Sequence, residues 1–290
     1  MELLTSPGPN DVREVDAIDS PPTAVPDEPG TQVPAAIEAW TATTVVLPRV
    51  SVVVPAMNEA ENLPHVLPLI PDVHEVILVD GWSTDRTIEV ARQLRPDIRI
   101  VSQERAGKGA ALCAGFEAAT GDIIVTIDAD GSTDPGEIPA FVEQLKNGAD
   151  FVKGSRFLSG GGTSDMPLYR QFGNFGFVMM VRVLYGGRFT DLCYGYNAFW
   201  KRVLPDLALD GDGFEIETMM NIRALRAGLR VAEVPSFEAK RVYGEGRLRT
   251  IPDGLRVLRT ILSERLPRRR RAIAIRGQEP ETAPERLRAD

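Results

Sequence analysis

The sequence of 290 residues is poor in cysteine, in histidine and in long apolar runs. Its two cysteines, Cys113 and Cys193, exclude a framework of several disulfides and are typical of a reducing compartment. The two histidines, His65 and His74, are too few for a histidine-rich metal centre. No apolar run approaches the roughly 18 residues that a membrane-spanning helix needs, and no signal peptide is recognisable. We therefore expect a cytoplasmic protein.

Charge is unevenly distributed along the chain, whose formal net charge is -8. Residues 1–47 hold eight acidic residues, one arginine and seven prolines, a composition that cannot bury enough apolar surface to fold. Residues 240–276 hold twelve basic and three acidic residues, with four consecutive arginines at 268–271. No nucleic-acid recognition motif accompanies these arginines, so we expect no nucleic-acid partner.

Between these two segments, short β-branched runs alternate with helical patterns. The predicted strands are residues 50–54, 75–79, 98–101, 122–127 and 151–152, and the predicted helices begin near residue 59 or span residues 84–94, 108–119 and 135–146. This alternation is typical of βαβ units. It predicts an α/β fold with a Rossmann-like, mostly parallel central sheet flanked by helices, in a single domain.

Polar residues lie at the carboxyl ends of the predicted strands, where open parallel sheets bind their ligands. Asn58 and Glu59 follow the first strand, Asp80 ends the second, and Asp128 and Asp130 follow the fourth. Two carboxylates one residue apart can hold Mg²⁺ or Mn²⁺ together with diphosphate oxygens. An Asp-x-Asp triplet also occurs in ordinary loops, but its position after a buried strand, in register with Asp80, favours a metal site.

With these motifs in place, the chain resembles family 2 glycosyltransferases of the GT-A fold, most closely the dolichyl- or polyprenyl-phosphate sugar synthases. The resemblance extends from about residue 50 to residue 262. Its segments are VVVPAMNE at 52–59, VDGWSTDRT at 79–87, GKG at 107–109, DAD at 128–130, GSR at 154–156, DLCYGY at 191–196 and RVYGE at 241–245. The implied domains are a disordered tail at 1–47, a catalytic GT-A domain at 48–262, and a basic, then loose tail at 263–290.

The resemblance implies a role for each matching residue. The residues expected to bind a UDP- or GDP-sugar are Pro55, Asn58, Glu59, Asp80, Ser83, Lys108, Asp128, Ala129 and Asp130. Of these, Asp128 and Asp130 would hold the metal ion. The residues expected to bind acceptor or donor phosphate are Arg156, Arg170, Asn174, Arg241 and Arg247. Gly81 stands where the family often has a second acid, which we expect to leave more room beside Asp80.

The expected reaction is metal-dependent, inverting transfer of a sugar to an acceptor, with polyprenyl phosphate favoured. A phosphate monoester is already a nucleophile at neutral pH, since its second pKa is about 6. An alcohol acceptor would need a carboxylate as general base. The candidate catalytic residues are Asp191, Glu215, Glu217 and Arg156. Glu215 and Glu217 are two residues apart at the start of a helix, so we expect only one to face the site.

Two apolar segments are compatible with either a lipid acceptor or a water-soluble one. Residues 172–185 fit either a core helix or a helix that faces a lipid acceptor. Residues 252–271 mix leucines with arginines, which suits either the inner face of a membrane or a solvated basic tail. The alternatives to a peripheral lipid-phosphate enzyme are a soluble glycosyltransferase with a small-molecule acceptor and a non-catalytic protein that binds nucleotide sugars.

Overall fold

The computed structural model describes residues 47–266. The predicted tails at 1–47 and 263–290 lie almost entirely outside this range. Within it, no helix is long and apolar enough to cross a membrane.

Seven strands form the central sheet and two short strands form a separate ribbon. The strands are β1 (Val50–Ala56), β2 (Glu75–Asp80), β3 (Arg99–Ser102), β4 (Ile123–Thr126), β5 (Phe151–Ser155), β6 (Gly162–Thr163), β7 (Asn197–Trp200), β8 (Val231–Pro235) and β9 (Phe237–Glu238). The central sheet has the order β3-β2-β1-β4-β7-β5-β8, and β6 pairs with β9. β7 is antiparallel to both β4 and β5, whereas the other pairings of this sheet are parallel.

Helices cover both faces of the sheet. They are α1 (Thr87–Leu94), α2 (Lys108–Ala118), α3 (Ile138–Lys146), α4 (Leu168–Tyr185), α5 (Leu204–Leu207), α6 (Glu215–Arg226) and α7 (Thr250–Ser263). Alternate residues of β1 enter different cores: Val52 and Val54 join one cluster with Phe141 of α3, and Val53 joins another with Phe116 of α2. The predicted α/β architecture is confirmed.

A close approach fixes α2 on the sheet. A side chain at Gly115 would place its Cβ 2.3 Å from Cγ1 of Val53 and 2.9 Å from Cγ2 of Val79. Only a glycine therefore lets the helix backbone lie this near β1 and β2. The close packing holds the start of α2, with Lys108, at the carboxyl edge of the sheet.

A third apolar cluster joins three helices, and Val231 of β8 packs against it. Val178 and Val181 of α4 pack with Ile222 of α6 and with Val257 and Ile261 of α7. The apolar segment at 172–185 is thus helical, with one face in this cluster.

The helix expected from residue 59 is absent, and that prediction is wrong. In its place are turns and two short 3-10 helices, Leu63–His65 and Leu67–Leu69. Each contains a proline, which has no N–H to donate to a continuing helix. The prediction for residues 151–152 was too short, since β5 continues through the polar but fully buried residues Lys153 and Ser155.

Candidate active site

A cavity of about 590 Å³ opens at the carboxyl edge of the central sheet. Residues that follow β1, β2, β4 and β5 line it, as the binding rule for parallel sheets predicts. Tyr194 and Gly195 also line it, although they precede β7. Because β7 runs antiparallel to its neighbours, its amino end meets the carboxyl ends of β4 and β5. The segment before β7 therefore belongs to the same site.

The cavity brings together most residues singled out in the sequence. Those that line it are Pro55, Glu59, Lys108, Asp128, Ala129, Asp130, Arg156, Arg170, Glu217, Arg241 and Arg247. Those outside its lining are Asn58, Asp80, Ser83, Asn174, Asp191 and Glu215. Lining residues that the sequence did not indicate include Met57, Gln103, Asp165, Phe214, Glu238 and Leu248.

The residues that follow β1 and β2 fasten two loops to each other. The Ser83 N–H donates to Asp80 Oδ2 at 3.2 Å, and Ser83 Oγ accepts the Asn58 N–H at 2.9 Å. Asn58 Oδ1 accepts the Thr84 N–H at 2.7 Å. A Cβ added at Gly81 would lie 3.0 Å from Met57 Cβ, so a side chain there would require Met57 to shift. Gly81 itself lines the cavity.

Lys108 joins two carboxylates at the centre of the cavity. Its Nζ lies 2.6 Å from Asp128 Oδ1 and 2.7 Å from Glu217 Oε1. Burial disfavours the charged amine, but the two carboxylates outweigh it and raise the pKa of Lys108. Glu217 thus lines the site, whereas Glu215 turns back and accepts the Gly213 N–H at 3.0 Å.

Arg156 and Asp191 form a buried bidentate ion pair. Arg156 Nε and Nη2 donate to Asp191 at 2.7 and 2.9 Å, and Nη1 donates to Glu238 at 3.0 Å. Asp191 is fully buried and Arg156 is 5% exposed. Burial alone would raise the pKa of Asp191, but Arg156 lowers it below its ordinary value. Lys153, also fully buried, donates to the Tyr194 carbonyl.

Asn174 supports the same segment from α4. Its Oδ1 accepts the Leu192 N–H at 3.1 Å, and the Asn174 side chain is buried. Asn174 therefore holds the backbone between Asp191 and Tyr194 and does not face the cavity.

The segment after β9 contacts the residues that follow β1 and β4. Arg241 binds Glu59 and lies 3.3 Å from Asp130 Oδ2. The Tyr243 N–H donates to Asn62 Oδ1 at 2.8 Å. This segment is thereby tied to the turn after β1.

A second tie lies further along. Arg247 Nη2 donates to the Met57 carbonyl at 2.7 Å. We call residues 241–247, which carry both ties, the closing loop.

The ionisable lining of the cavity is balanced almost to neutrality. It comprises six carboxylates and five basic side chains. Among the described residues, Arg170 has no ion pair or side-chain hydrogen bond to the protein, so its donors are free for a ligand. A diphosphate and a second phosphate would face a lining with no net positive charge, which favours an added cation.

Asp128 and Asp130 provide the donor atoms that such a cation needs. No group of three or more His, Cys, Asp or Glu side chains in residues 47–266 is arranged to hold a metal on its own. Two carboxylates with ligand phosphates are, however, a common Mg²⁺ arrangement. The residues present therefore fit a hard divalent ion whose remaining ligands come from substrate and water.

Residues 51–207 match the sequence model of glycosyl transferase family 2. The chain belongs to this family. It is 33% identical over 211 residues to the dolichol-phosphate mannosyltransferase of Pyrococcus furiosus, covering 69% of this chain and 59% of that protein. It is 32% identical over 215 residues to the undecaprenyl-phosphate mannosyltransferase of Micrococcus luteus, covering 69% of this chain and 87% of that one.

The fold agrees with this membership. The crystal structure of glucosyl-3-phosphoglycerate synthase from Mycobacterium tuberculosis, in complex with Mn²⁺, UDP and phosphoglyceric acid, matches with a TM-score of 0.60. The two chains are 26% identical, and the match covers 75% of this chain and 78% of the other. The chain is therefore a family 2 glycosyltransferase with the GT-A fold.

Of two cavity-lining residues that were not predicted from the sequence, only one could have been. Gln103 follows β3, so the rule for strand ends would have included it. Glu238 reaches the site only because β9 pairs with β6 beside the end of β5, and no local pattern indicates that pairing.

Proposed function

We propose that this family 2 glycosyltransferase transfers a sugar from a nucleotide-diphosphate sugar to polyprenyl phosphate. The observation that carries the proposal is the free guanidinium of Arg170 in a cavity whose other arginines and lysine have protein partners. Arg170 can bind a phosphate through paired N–H donors, whose planar arrangement matches the phosphate oxygens. The two mannosyltransferase relatives, named for dolichol phosphate and undecaprenyl phosphate, support a lipid phosphate as acceptor.

On the donor side, the residues after β1 and β2 would hold the nucleoside and those after β4 the diphosphate. Asp128 and Asp130 would hold Mg²⁺ or Mn²⁺. The bound ion would neutralise charge that develops on the departing nucleoside diphosphate. Lys108, at the start of α2, is the nearest cation to Asp128 and would add to the positive field around the phosphates.

On the acceptor side, a phosphate monoester needs positioning more than proton removal. Arg170 would orient the acceptor phosphate towards the sugar. Asp191 and Glu238 hold Arg156 in place from behind, so we assign Asp191 a positioning role rather than that of a base. The expected inversion at the sugar requires attack from the side opposite the diphosphate.

A second candidate is a small phosphorylated acceptor that is not part of a lipid. The structural match to a synthase crystallised with phosphoglyceric acid favours it. If the attacking group were an alcohol, Glu217 is the carboxylate that lines the cavity and could accept its proton. Its pairing with Lys108 would have to loosen for that role.

Labelled UDP- and GDP-hexoses, each with Mn²⁺, test the proposal directly. Label transferred to polyprenyl phosphate should extract into organic solvent and decrease at least tenfold in Arg170→Gln. Arg92→Gln, an exposed arginine of α1 outside the cavity, is the matched control. Transfer to 3-phosphoglycerate alone would favour the second candidate. Donor binding without transfer to any acceptor would contradict both.

Because polyprenyl phosphate resides in a bilayer, the proposal includes peripheral association with the inner face of a membrane.

A further inference from the structure

Helix α4 leaves a stripe of apolar side chains uncovered along its whole length. Leu168, Phe172, Phe175, Met179 and Val183 recur every three or four residues, and they are between 37% and 77% exposed. That spacing places them on one side of the helix, opposite the face in the third apolar cluster. An 18-residue helix is about 27 Å long, so the stripe is far larger than isolated surface leucines.

Helix α7 and the turn after it carry a second stripe with the same spacing. Ile251, Leu255, Leu262 and Leu266 are each more than half exposed. The last three, with Leu258 between them, line a shallow groove of about 410 Å³. Soluble monomers rarely expose contiguous apolar surface on this scale unless it meets a partner.

The two helices lie side by side. Val178 and Val181 of α4 contact Val257 and Ile261 of α7 in the same buried cluster. The Tyr185 hydroxyl donates to the Ile261 carbonyl. We call the exposed apolar stripes of these two helices, together with the exposed Arg182 and Arg259, the α4–α7 face.

The charges on this face have one sign. Helix α4 contains no acidic residue, and the one acid within α7, Asp253, is buried. Exposed basic residues include Arg182 on α4 and Arg259 on α7. In the sequence, four arginines at 268–271 follow shortly after the end of α7. The face is therefore apolar and cationic together.

This combination decides between two occupants. A two-fold interface brings the same patch of both subunits together, so a second copy would set this cationic surface against itself. Within residues 47–266, these two helices carry no exposed acidic side chain that could neutralise the repulsion. Anionic lipid instead accepts apolar side chains below its headgroups and attracts arginine at the surface.

We propose that the α4–α7 face docks on the surface of a bilayer that contains anionic lipid. Arg170, in the first turn of α4, lines the active-site cavity, whereas Leu168 and Phe172, two residues to either side, are exposed on the other side of the helix. The first turn of α4 thus lies between the cavity and a bilayer on this face. The location of the acceptor phosphate at that surface rests on the proposed function, but docking itself does not.

Cosedimentation of the full-length protein with vesicles tests the proposal. Phosphatidylcholine vesicles with and without phosphatidylglycerol are the probes. We expect binding to the anionic vesicles, and a decrease of at least tenfold in the Phe172→Ser, Phe175→Ser double variant. The control removes equally exposed apolar side chains elsewhere, as Leu47→Ser with Leu69→Ser, and should bind like the wild type.

The charge contribution has its own pair of variants. Arg259→Glu should weaken binding to anionic vesicles several-fold, whereas Arg92→Glu on α1 should not. Replacement of the four arginines at 268–271 by serine separates the contribution of these arginines to vesicle binding from that of the α4–α7 face. If that variant alone abolishes binding while the phenylalanine double variant binds normally, the proposal is overturned.

Two further readouts keep the outcomes distinct. The phenylalanine double variant should keep its activity on a short-chain, water-soluble prenyl phosphate without vesicles. Vesicle binding with no transfer to any lipid phosphate would contradict the proposed function and leave the docking face intact. Sedimentation velocity that shows a dimer in the wild type and a monomer in the double variant, without vesicle binding, would identify a second copy as the occupant and refute docking.

Discussion

At the residue scale, the ion pair between Arg156 and Asp191 joins a residue that lines the cavity to one that lies outside its lining. Both side chains are buried, and every guanidinium nitrogen of Arg156 donates to a carboxylate. Removing one partner of such a pair leaves an uncompensated buried charge.

Asp191→Asn should therefore destabilise the protein by roughly 3–5 kcal/mol, the range for breaking a buried pair. Urea unfolding followed by circular dichroism measures this. Glu89→Gln breaks an exposed pair with Arg86 and should leave the unfolding midpoint nearly unchanged. Equal small effects of the two variants would contradict a structural role for Asp191.

The same residue predicts a pH dependence. Because the pKa of Asp191 is lowered in the folded state, its contribution is complete above the unfolded aspartate pKa of about 3.9 and is lost as pH falls through the folded pKa. The difference in unfolding free energy between wild type and Asp191→Asn should thus shrink as pH decreases below about 4. A difference that grows on acidification would show that the sign is wrong.

Arg170 should affect the acceptor and not the donor. Loss of one charge-assisted contact costs roughly 1.5–3 kcal/mol, so Arg170→Gln should lower kcat/KM for a phosphate acceptor by about ten- to a hundredfold. Donor affinity, measured by calorimetry in the presence of Mn²⁺, should stay within twofold. A matching loss of donor affinity would place Arg170 at the diphosphate instead.

At the scale of elements, two helical glycines offer a matched comparison. Gly115→Ala in α2 would force Cβ against Val53 and Val79, and overpacking of this kind costs about 1–3 kcal/mol. Gly173→Ala in α4 meets open space and should stabilise by about 0.5–1 kcal/mol, because alanine loses less entropy in a helix. Thermal unfolding should therefore show a lower melting temperature for Gly115→Ala and a higher one for Gly173→Ala than for the wild type.

Local patterns predicted the parallel half of the sheet and missed much of the other half. β1, β2 and β4 are short apolar runs that end in polar residues, so both their existence and their ligand edge could be read from the sequence. β7 could not, since its antiparallel direction depends on pairing with β4 and β5 across long separations. For the same reason, no local sequence pattern predicted that β9 places Glu238 in the lining of the cavity.

The buried ion pair between Asp191 and Arg156 could not be predicted from the sequence either. The sequence placed Asp191 and Arg156 in the same region, but the spacing of two residues from separate segments cannot show that they neutralise each other. Glu215 and Glu217 illustrate the reverse, because helical geometry alone indicated that only one would face the site.

At the scale of the whole molecule, the overall charge of -8 is a poor guide to the site. The cavity itself holds six acids and five bases, so the proposed nucleotide-diphosphate donor would meet a nearly neutral lining. This balance makes a divalent ion the natural source of the missing positive charge.

Removal of that ion should therefore weaken donor binding. Chelation with EDTA should raise the dissociation constant for the nucleotide sugar at least tenfold, or about 1.4 kcal/mol. Asp130→Asn should reproduce most of this loss in the presence of Mn²⁺, while Asp72→Asn, an exposed acid outside the cavity, should not. Unchanged affinity after chelation would show that the donor needs no metal.

The closing loop has a kinetic consequence. Its ties to the turn after β1, through Glu59, Asn62 and Met57, include an ion pair whose two side chains are only 15% and 8% exposed. Salt screens such a buried pair weakly, so these ties should persist at moderate ionic strength. If the donor enters past this loop, its association rate would include an opening step that salt leaves nearly unchanged. The same few polar contacts would then set how long the nucleotide stays.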